Sequence, residues 1–457
     1  MGWSELGLKR WRSEIKWFSN PQYLVYFKCL ALMVAIVISL CIATQTTFNA
    51  HPDEFIHVDA FRYFQGRWFP PEVGSDQVAY SSYGNSRVYA QELVYILYGN
   101  LANLGKTVLG IQPNYLTYRL FNVGLFGITL SSLLFAKLKN FRLDWLGYAI
   151  LCTPQIYYLY SYANSDAWAL SVSLFLFIIA VKIYQQSVEN STVKDFLLLG
   201  ILTGLLLVAK KNFYLGLFLP YSLIGFSTIH WLTKIRFQWV QLQRCLLPLF
   251  AWLISACLIM APLQIIYPLS QGDFQAKILQ TQEAKAKAEY KPSNATFKYL
   301  RMGEKGYSYW DIAFRKRWLK FSTRSFWGLY GYMNLRNPHW VYDVVFYCTI
   351  GLLSLTGLTL VQTQAWQDLF LAICLPISVV VIGLNVFVSL HHSLTVDLQA
   401  QGRYLFPSFI PVALWLTGAT APDRYPAKAI RRLIFIILYG LTLCSLIFVC
   451  LPRLSIG

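Results

Sequence analysis

The chain has 457 residues, of which 56% are hydrophobic and only 13% are charged. Because a soluble domain carries about 25% charged residues, this composition excludes an ordinary soluble protein and indicates a polytopic membrane protein. The formal net charge of +18 indicates basic cytoplasmic loops on a lipid bilayer. No nucleic-acid-binding motif accompanies it, so we predict no nucleic-acid partner.

The nine cysteines form no Cys-x-x-Cys pair, which argues against a disulfide framework or a zinc site.

Apolar segments of helical length dominate the chain. The first follows a basic, tryptophan-containing lead at residues 1–20 and has no clear cleavage site after it, so we predict a retained transmembrane helix. About eleven segments are long enough to cross a bilayer. They are residues 24–46, 116–136, 143–160, 166–184, 195–209, 212–230, 246–267, 341–361, 369–390, 404–420 and 430–450. The predicted fold class is an all-α polytopic membrane protein with a single transmembrane domain over residues 1–457.

The positions of Lys and Arg predict the orientation of these helices. If the N-terminus is cytoplasmic, every short loop on the same side except 362–368 contains Lys or Arg, as the positive-inside rule requires. An odd number of helices then places the C-terminus outside. The polar segments all fall on the non-cytoplasmic face, and they are residues 47–115, 160–166, 210–212, 268–340 and 391–403. The charge bias therefore predicts one active face.

Two of these external segments are too long to be simple connections. The first external loop, residues 47–115, contains an aromatic and moderately apolar stretch at 88–109. This stretch predicts an amphipathic helix on the membrane surface. The second loop, residues 268–340, predicts short helices packed over the external mouth of a cavity.

An acidic stretch opens the first external loop, with the order His51-Pro52-Asp53-Glu54-Phe55-Ile56-His57. Pro52 suits a first helical turn, so we expect Asp53, Glu54 and His57 to begin a helix. A carboxylate at a partly dry membrane mouth can serve as a general base, which makes these three residues the predicted catalytic group. A capped, solvated interfacial helix is the alternative. Glu54 and His57 also have a metal-ligand spacing, but no second copy of the motif exists, so no metal is predicted.

Two later segments carry cations on the face where positive charge is disfavoured. Lys210 and Lys211 lie between two apolar segments, and Arg403 and Tyr404 stand at the external start of a late helix. An arginine at a helix N-terminus suits a phosphate, because its paired donors and the helix dipole act together. We predict that these four residues bind a phosphate group. Lipid head-group contact for the lysines and snorkelling for the arginine are the alternatives.

Four more residues are predicted to line a substrate cavity on this face. Asn164 and Asp166 lie in the turn at 160–166, where a helix N-cap is the alternative role. Trp327 and Tyr330 lie in a stretch of aromatic and small residues at 325–332. Such a stretch suits stacking on sugars, with an interfacial amphipathic helix as the alternative.

Five motifs follow one another along the chain. They are Asp-Glu-x-x-His at 53–57, Tyr-Ala-Asn-Ser-Asp at 162–166, Ala-Lys-Lys-Asn at 209–212, Ser-Phe-Trp-Gly-x-x-Gly at 325–331 and Gln-Gly-Arg-Tyr at 401–404. This ordered set resembles the GT-C fold glycosyltransferases, which are integral membrane enzymes. It most resembles a bacterial family of predicted membrane proteins of unknown function in that clan.

The resemblance implies a GT-C-like helical bundle in the bacterial inner (plasma) membrane. It implies an enzyme whose donor is a polyprenyl-phosphate-linked sugar, with no other cofactor and no metal. Asp53, or else Glu54, would take a proton from the hydroxyl of an envelope glycan or lipid acceptor, which attacks the sugar with inversion. Arg403, Lys210 and Lys211 would neutralise the leaving polyprenyl phosphate.

Other functional classes stay open at this point. The alternatives are a transporter of lipid-linked saccharides or other lipids and a structural subunit of an envelope polysaccharide complex. The resemblance does not specify the sugar, the acceptor or the oligomeric state.

Overall fold

The computed structural model describes residues 21–138, 142–234, 239–364, 368–417 and 427–455, and it is predominantly helical. The helices are α1 (Pro21–Gln45), α2 (Glu54–Tyr63), α3 (Leu93–Leu109), α4 (Tyr115–Phe135), α5 (Asp144–Leu151), α6 (Pro154–Tyr160), α7 (Asp166–Gln186), α8 (Val193–Leu207), α9 (Phe218–Lys234), α10 (Trp239–Ala261), α11 (Tyr267–Ser270), α12 (Phe274–Lys285), α13 (Trp318–Gly328), α14 (His339–Thr363), α15 (Leu369–Thr395), α16 (Phe409–Thr417), α17 (Ala427–Ser445) and α18 (Leu451–Ser455).

Short irregular helices and one hairpin complete the described chain. The 3₁₀ segments are Arg87–Ala90, Val188–Asn190, Lys211–Leu217, Ala288–Tyr290 and Gly402–Ser408, and the π-helical turns are Pro262–Ile266, Asp311–Arg315 and Leu446–Cys450. Two short antiparallel strands, β1 (Leu329–Tyr330) and β2 (Leu335–Arg336), pair Leu329 with Arg336 and Tyr330 with Leu335. The predicted all-α class is confirmed.

Eight helices among the described residues are long and apolar enough to cross a membrane. They correspond to eight of the predicted segments, and they are 22–45, 115–135, 166–186, 211–233, 246–270, 339–363, 369–395 and 427–455. As far as the structure describes them, the other three predicted segments form shorter or interrupted helices; residues 418–420 of the segment 404–420 lie outside the described residues. In the segment 143–160, for example, α5 ends at Leu151 and Pro154 starts α6 after a two-residue break. A total of eleven crossings stays a prediction.

Local sequence explains where several helices begin. Asn114 and Thr117 form a reciprocal capping box at the start of α4, and Thr192 and Asp195 do the same at the start of α8. Such caps satisfy backbone N–H groups that have no partner within the helix. Asp368 caps α15 in a similar way.

A close helix crossing lies between α8 and α10 and depends on two glycines. A Cβ atom at Gly200 would overlap Ser255 Oγ and the carbonyl oxygen of Trp252. A Cβ atom at Gly204 would lie 2.8 Å from the carbonyl oxygen of Ala256. Glycines four residues apart let two membrane helices approach backbone to backbone, where packing contacts stabilise the pair.

One end of the bundle is covered by the two long loops, which contact each other. Lys277 pairs with Glu72 at 2.9 Å, and Lys285 pairs with Asp76 at 2.5 Å. The backbone N–H of Lys287 donates to the carbonyl oxygen of Ser82 at 3.0 Å. These contacts place α12 against the first loop and build a layer over the ends of the long helices.

The glycine crossing gives a prediction about stability. We expect Gly200→Ala to destabilise the protein by about 1–3 kcal/mol, because the added methyl group overpacks the contact with α10. Thermal unfolding in detergent measures the effect. Gly225→Ala is the matched control, since Gly225 lies in the membrane helix α9 with nothing within 4 Å of an added Cβ. Equal midpoints for the two variants would contradict this account of the crossing.

Candidate functional site: a cationic pit beside Asp53

Asp53 is the exposed member of a cluster of charged side chains, called the cationic pit below, that also contains Arg87, Lys210 and Arg403. It has a left-handed backbone (φ 59°) and precedes α2, whose first N–H groups bond its carbonyl oxygen: Ile56 N–H at 3.1 Å and His57 N–H at 3.3 Å. The predicted helix therefore begins at Glu54, and Pro52 lies in the turn before it. The Asp53 side chain is 44% exposed, and its Oδ2 is 3.7 Å from Arg403 Nη2. The structure thus brings together the predicted base and the predicted phosphate ligand.

Glu54 lies on the opposite, buried side of the same turn. Its carboxylate forms a bidentate pair with Arg119 of α4, with Nε and Nη2 each 2.7 Å from one carboxylate oxygen. The backbone N–H groups of Asn49 and Ala163 also donate to it, at 2.9 and 3.3 Å. Both oxygens are therefore occupied and shielded from solvent. In this geometry Glu54 holds the turn in place and is not positioned to accept a substrate proton.

Arg119 completes this arrangement and was not among the predicted site residues. Its Nη1 donates to the carbonyl oxygens of Ala43 and Thr46, both at 2.8 Å, and its Nη2 donates to that of Thr47 at 2.9 Å. These are the last carbonyls of α1 and the start of the following turn, which have no helical partner. A sequence signal existed, because a charged residue inside an apolar segment marks a buried polar partner.

His57 is buried behind Asp53, and its Nδ1 is 2.7 Å from the hydroxyl of Tyr95. Burial lowers the pKa of His57 well below its usual value, and three nearby cations lower it further. These cations are Arg87, Lys210 and Arg403. His57 is therefore neutral near pH 7 and acts as a hydrogen-bonding support in the wall of the pit.

His51 is also buried, and its ring stacks on Tyr162 with centroids 4.8 Å apart. Its Nε2 is 2.9 Å from Thr46 Oγ1, whose own proton is directed to the carbonyl oxygen of Ile42 at 2.8 Å. Nε2 must therefore be the donor in this contact. Burial, and then the charge of Arg119, lower the pKa of His51 well below its usual value.

Arg403 is a buried cation of the pit without a close partner. Its side chain is 8% exposed, yet its contacts are long: 3.4 Å from Nη1 to Tyr162 Oη, 3.4 Å from Nη2 to Tyr404 Oη and 3.7 Å to Asp53. Within the described part of the chain, its Nε has no hydrogen-bond partner. A buried guanidinium without close acceptors is costly, so the position favours an anionic ligand.

A close backbone approach positions Arg403. Gly402 begins the 3₁₀ segment and lies so near α13 that a Cβ atom would overlap the backbone of Ser325 and Phe326. Only glycine fits this contact. The second long loop, which contains α13, therefore determines where the guanidinium lies.

The two adjacent lysines have different environments. Lys210 Nζ lies 2.8 Å from both carboxylate oxygens of Asp166 and 5.5 Å from the ring centroid of Tyr404. Lys211 is exposed at the start of the next 3₁₀ segment. Lys210, Asp166, Arg403 and Tyr404 thus meet in one cluster, whereas Lys211 points to the surface of the protein.

Asn164 has a structural role next to this cluster. Its Oδ1 accepts from the N–H of Ala167 at 3.0 Å, and its Nδ2 donates to the carbonyl oxygens of Leu159 and Tyr162 at 2.7 and 2.9 Å. These bonds cap the start of α7 and close the turn before it. The N-cap alternative therefore describes Asn164 better than a cavity ligand.

The structure does not support a cavity-lining role for Trp327 and Tyr330. Both rings are buried. Trp327 Nε1 donates to the carbonyl oxygen of Cys152 at 3.1 Å, and the hydroxyl of Tyr330 is 2.5 Å from Ser445 Oγ. They pack α13 and β1 onto the bundle, so neither ring is free to stack on a sugar.

Arg87 and Glu92 extend the pit on the side of α3 and were also missed as site residues. Arg87 interacts electrostatically with Asp53, Glu92 and Tyr404. Burial raises the pKa of Glu92, against the opposing effect of Arg87. The positive-inside rule is informative for short loops, and Arg87 lies in the long loop 47–115 with several other Lys and Arg residues, so the charge pattern did not single it out.

The described residues contain no group of three or more His, Cys, Asp or Glu side chains arranged to hold a metal ion. The chemical groups of the pit are instead three cations, three carboxyl groups and several phenols. The cations are Arg87, Lys210 and Arg403, and the carboxyl groups are those of Asp53, Glu92 and Asp166. This set can bind a phosphate-like anion beside a carboxylate that accepts a proton.

A family profile described as "Predicted membrane protein (DUF2142)" matches residues 77–413. The chain belongs to this family. The resemblance to a family of predicted membrane proteins is thereby confirmed. In this member of DUF2142 the matched range contains Arg87, Asp166, Lys210 and Arg403 and begins after the turn that carries Asp53.

Comparison with solved structures gives a distant similarity. The crystal structure of ArnT from Cupriavidus metallidurans bound to undecaprenyl phosphate is 13% identical, with a TM-score of 0.38. The match covers 87% of this chain and 77% of ArnT. No curated protein matches the chain.

The Glu54–Arg119 pair leads to a prediction about stability. We expect Arg119→Gln to destabilise the protein by about 3–5 kcal/mol, because it leaves a buried carboxylate without its partner. The control is Arg142→Gln, which removes a half-exposed arginine from its pair with Asp144 at 3.2 Å and should cost about 1 kcal/mol or less. Thermal unfolding in detergent compares them, and similar losses in both variants would refute the central role of Arg119.

The buried histidines predict a dependence of stability on pH. Because the folded-state pKa of His51 and His57 is lowered, the unfolded chain takes up protons first as the pH falls through about 6.5. Stability is therefore full above that pH and decreases on acidification, by at most about 1.4 kcal/mol per histidine at pH 5.5. His57→Gln should flatten this decrease between pH 7.5 and 5.5. An unchanged pH profile in the variant would show that His57 is not buried in its neutral form.

Proposed function

We propose that the protein is a membrane glycosyltransferase of the GT-C type. In this proposal it transfers a sugar from a polyprenyl-phosphate donor to an envelope glycan or lipid acceptor, on the non-cytoplasmic face of a bacterial inner membrane. The observation that carries the proposal is the pairing of Arg403 with Asp53. A buried guanidinium with only long contacts lies 3.7 Å from a half-exposed carboxylate.

The donor phosphate would bind Arg403. Guanidinium groups match phosphate oxygens with two parallel donors, and such charge-assisted bonds are stronger than neutral ones. The long contacts of Arg403 to Tyr162, Tyr404 and Asp53 leave donors available for this ligand. Lys210 and Arg87 would add positive potential nearby, although Asp166 neutralises much of the charge of Lys210.

The reaction needs a proton acceptor next to the phosphate site, and Asp53 fills that role. Its carboxylate would take the proton of the acceptor hydroxyl as the oxygen bonds to the anomeric carbon. The bond from that carbon to the phosphate oxygen breaks at the same time, with inversion, and the electron pair leaves with polyprenyl phosphate. General-base catalysis of this kind contributes about 10²–10⁴-fold to a rate.

The remaining charges have supporting roles in this mechanism. Glu54 and Arg119 fix the turn that presents Asp53, and neutral His57 with Tyr95 forms the wall behind it. Fixed cations already lie where the leaving phosphate would develop charge, and such preorganised groups contribute several kcal/mol to catalysis. For this reason we propose a reaction that uses no metal.

The proposal predicts different losses for two substitutions. Asp53→Asn should reduce sugar transfer at least about 100-fold, because the base is lost, while binding of undecaprenyl phosphate stays near wild type. Arg403→Gln should weaken that binding roughly 10-fold or more, since a bond to a charged group is lost. Binding is measured with radiolabelled undecaprenyl phosphate on the full chain in nanodiscs. Transfer is measured as modified envelope glycan or lipid, by mass spectrometry, in cells that carry each variant as the sole copy.

Asp76→Asn is the matched control, because Asp76 is an exposed carboxylate of the same loop, paired with Lys285. It should leave both readouts unchanged. Normal transfer in Asp53→Asn would overturn the assignment of the base. Movement of lipid-linked saccharide across proteoliposomes without any new glycosidic bond would instead support a transporter.

A further inference from the structure

We propose that a basic face on the second long loop binds the phosphate groups of anionic bilayer lipids. The basic face consists of Arg317, Lys320, Arg324 and Arg336, which lie on or beside α13. Its use in the reaction rests on the proposed function. A polyprenyl-phosphate donor is itself an anionic lipid, and the basic face would hold it at the level of the head groups before its phosphate reaches Arg403.

The charge of this part of the loop has one sign. Residues 312–342 contain six Lys or Arg and no Asp or Glu. Among the described residues, no carboxylate oxygen lies within 4 Å of a cation of the basic face. By contrast, Lys277 and Lys285 of the same loop each have an acidic partner. The basic face is therefore a surface of positive charge that the described residues do not neutralise, and it suits an anionic partner.

The helix α13 separates its cations from its buried side. The side that packs on the protein consists of residues three or four positions apart, and these are Trp318, Ser322 and Ser325. Lys320 is exposed and Arg324, one turn later, is partly exposed. Residues four apart on a helix share a face. Arg336 of β2 lies beside them, with its guanidinium carbon 5.4 Å from the ring centroid of Phe321.

Contacts along α13 place it at the level of lipid head groups. At its start, Trp318 Nε1 donates to Ser393 Oγ at 2.9 Å, in the last turn of the membrane helix α15. In its second half, the guanidinium carbon of Arg324 lies 4.8 Å from the ring centroid of Tyr342, in the first turn of the membrane helix α14. The helix α13 therefore lies across the ends of two helices that are long and apolar enough to span a bilayer. The ends of such helices coincide with the head-group layer.

Exposed aromatic side chains flank α13 in the chain and identify the partner as a bilayer. Trp310 and Phe314 precede α13, are 65% and 50% exposed, and have ring centroids 4.0 Å apart. Trp340, at the start of α14, is 59% exposed. Tryptophan is enriched at membrane–water interfaces, where its ring meets the acyl chains. A soluble polyanion would neutralise the cations but leave these rings in water, whereas a bilayer of anionic lipids accommodates both.

The basic face is joined to the proposed phosphate site by the contact between α13 and Gly402. Ser325 and Phe326, whose backbone excludes a Cβ atom at Gly402, directly follow Arg324. On the other side of this contact, Arg403 directly follows Gly402 and has only long contacts. An anionic lipid at Arg324 therefore lies beside the segment that carries Arg403.

Photo-crosslinking of the full chain in nanodiscs tests the inference. The nanodiscs consist of phosphatidylcholine with a trace of a probe lipid whose head group is photoreactive. The probe is either phosphatidylglycerol, which is anionic, or phosphatidylcholine, which has no net charge, and peptide mass spectrometry locates the labelled residues. We expect the phosphatidylglycerol probe to label residues 309–342 roughly tenfold more than the phosphatidylcholine probe, because several cations at a membrane surface attract anionic head groups together. Undecaprenyl phosphate added to the same nanodiscs should displace the phosphatidylglycerol probe.

The test variant replaces three cations of the basic face together, as Arg317→Gln, Lys320→Gln and Arg324→Gln. It should bring the labelling ratio of the two probes close to one. The matched control removes the same charge from the same loop, as Lys277→Gln, Lys285→Gln and Lys305→Gln. It should keep the wild-type ratio, since two of these lysines pair with acids and the third donates to the carbonyl oxygen of Phe297.

Thermal midpoints identify any variant that fails to fold, and salt then decides the question on the wild type. In about 1 M NaCl the Debye length falls to about 3 Å, so the preference for phosphatidylglycerol should decrease severalfold.

Four results would overturn the inference. They are equal labelling of residues 309–342 by the two probes, equal ratios in the test variant and its control, a ratio that salt leaves unchanged, and displacement of the probe by soluble dextran sulfate but not by undecaprenyl phosphate. The last result would assign the basic face to an acidic polysaccharide. Asp53→Asn should be labelled like the wild type, because lipid binding does not require the base. Failure of the basic face is thus separable from failure of the catalytic proposal: the first changes labelling alone, and the second leaves transfer intact in Asp53→Asn.

Discussion

The buried pair of Glu54 and Arg119 is the interaction on which the geometry of this protein depends. One guanidinium joins the last turn of α1, the start of α2 and the interior of α4, with five contacts of 2.7–2.9 Å to carboxylate and carbonyl oxygens. Away from water such a network is either complete or very costly, because each unpaired member retains its full desolvation penalty. The chain between α1 and α2 is therefore confined to one path, and Asp53 lies at the exposed end of that path.

Arg119 and Arg403 show how one residue type serves two purposes in the same bundle. Both guanidinium groups are buried. Arg119 is saturated by short bonds to the protein, whereas the contacts of Arg403 are 3.4 Å or longer. The difference follows from their surroundings: Arg119 faces the free carbonyls of a helix end, and Arg403 faces phenols and a carboxylate at the rim of a pit. A guanidinium whose N–H groups all bond to the protein stabilises the fold, whereas one whose N–H groups lack close acceptors can bind an anion.

Much of the architecture was predictable from composition and charge bias, because a bilayer permits few alternatives to long apolar helices. The same reasoning indicated that Asp53, Lys210, Asp166 and Arg403 share one face. It could not determine which partner each residue has. Lys210 and Lys211 are neighbours in sequence, yet the chain turns between them, so one meets Asp166 and the other meets solvent. The burial of Trp327 and Tyr330 likewise depends on how α13 packs at Gly402, a contact between distant segments that no local pattern encodes.

The left-handed backbone at Asp53 restricts which acid can occupy the entrance of the pit. Short polar side chains tolerate this conformation better than longer ones, and Asp and Asn are several-fold enriched in it. A glutamate here would meet backbone strain and would also place its carboxyl group one methylene further from the turn. The main-chain torsion angle thus favours aspartate over glutamate at this position, independently of the chemistry of the reaction.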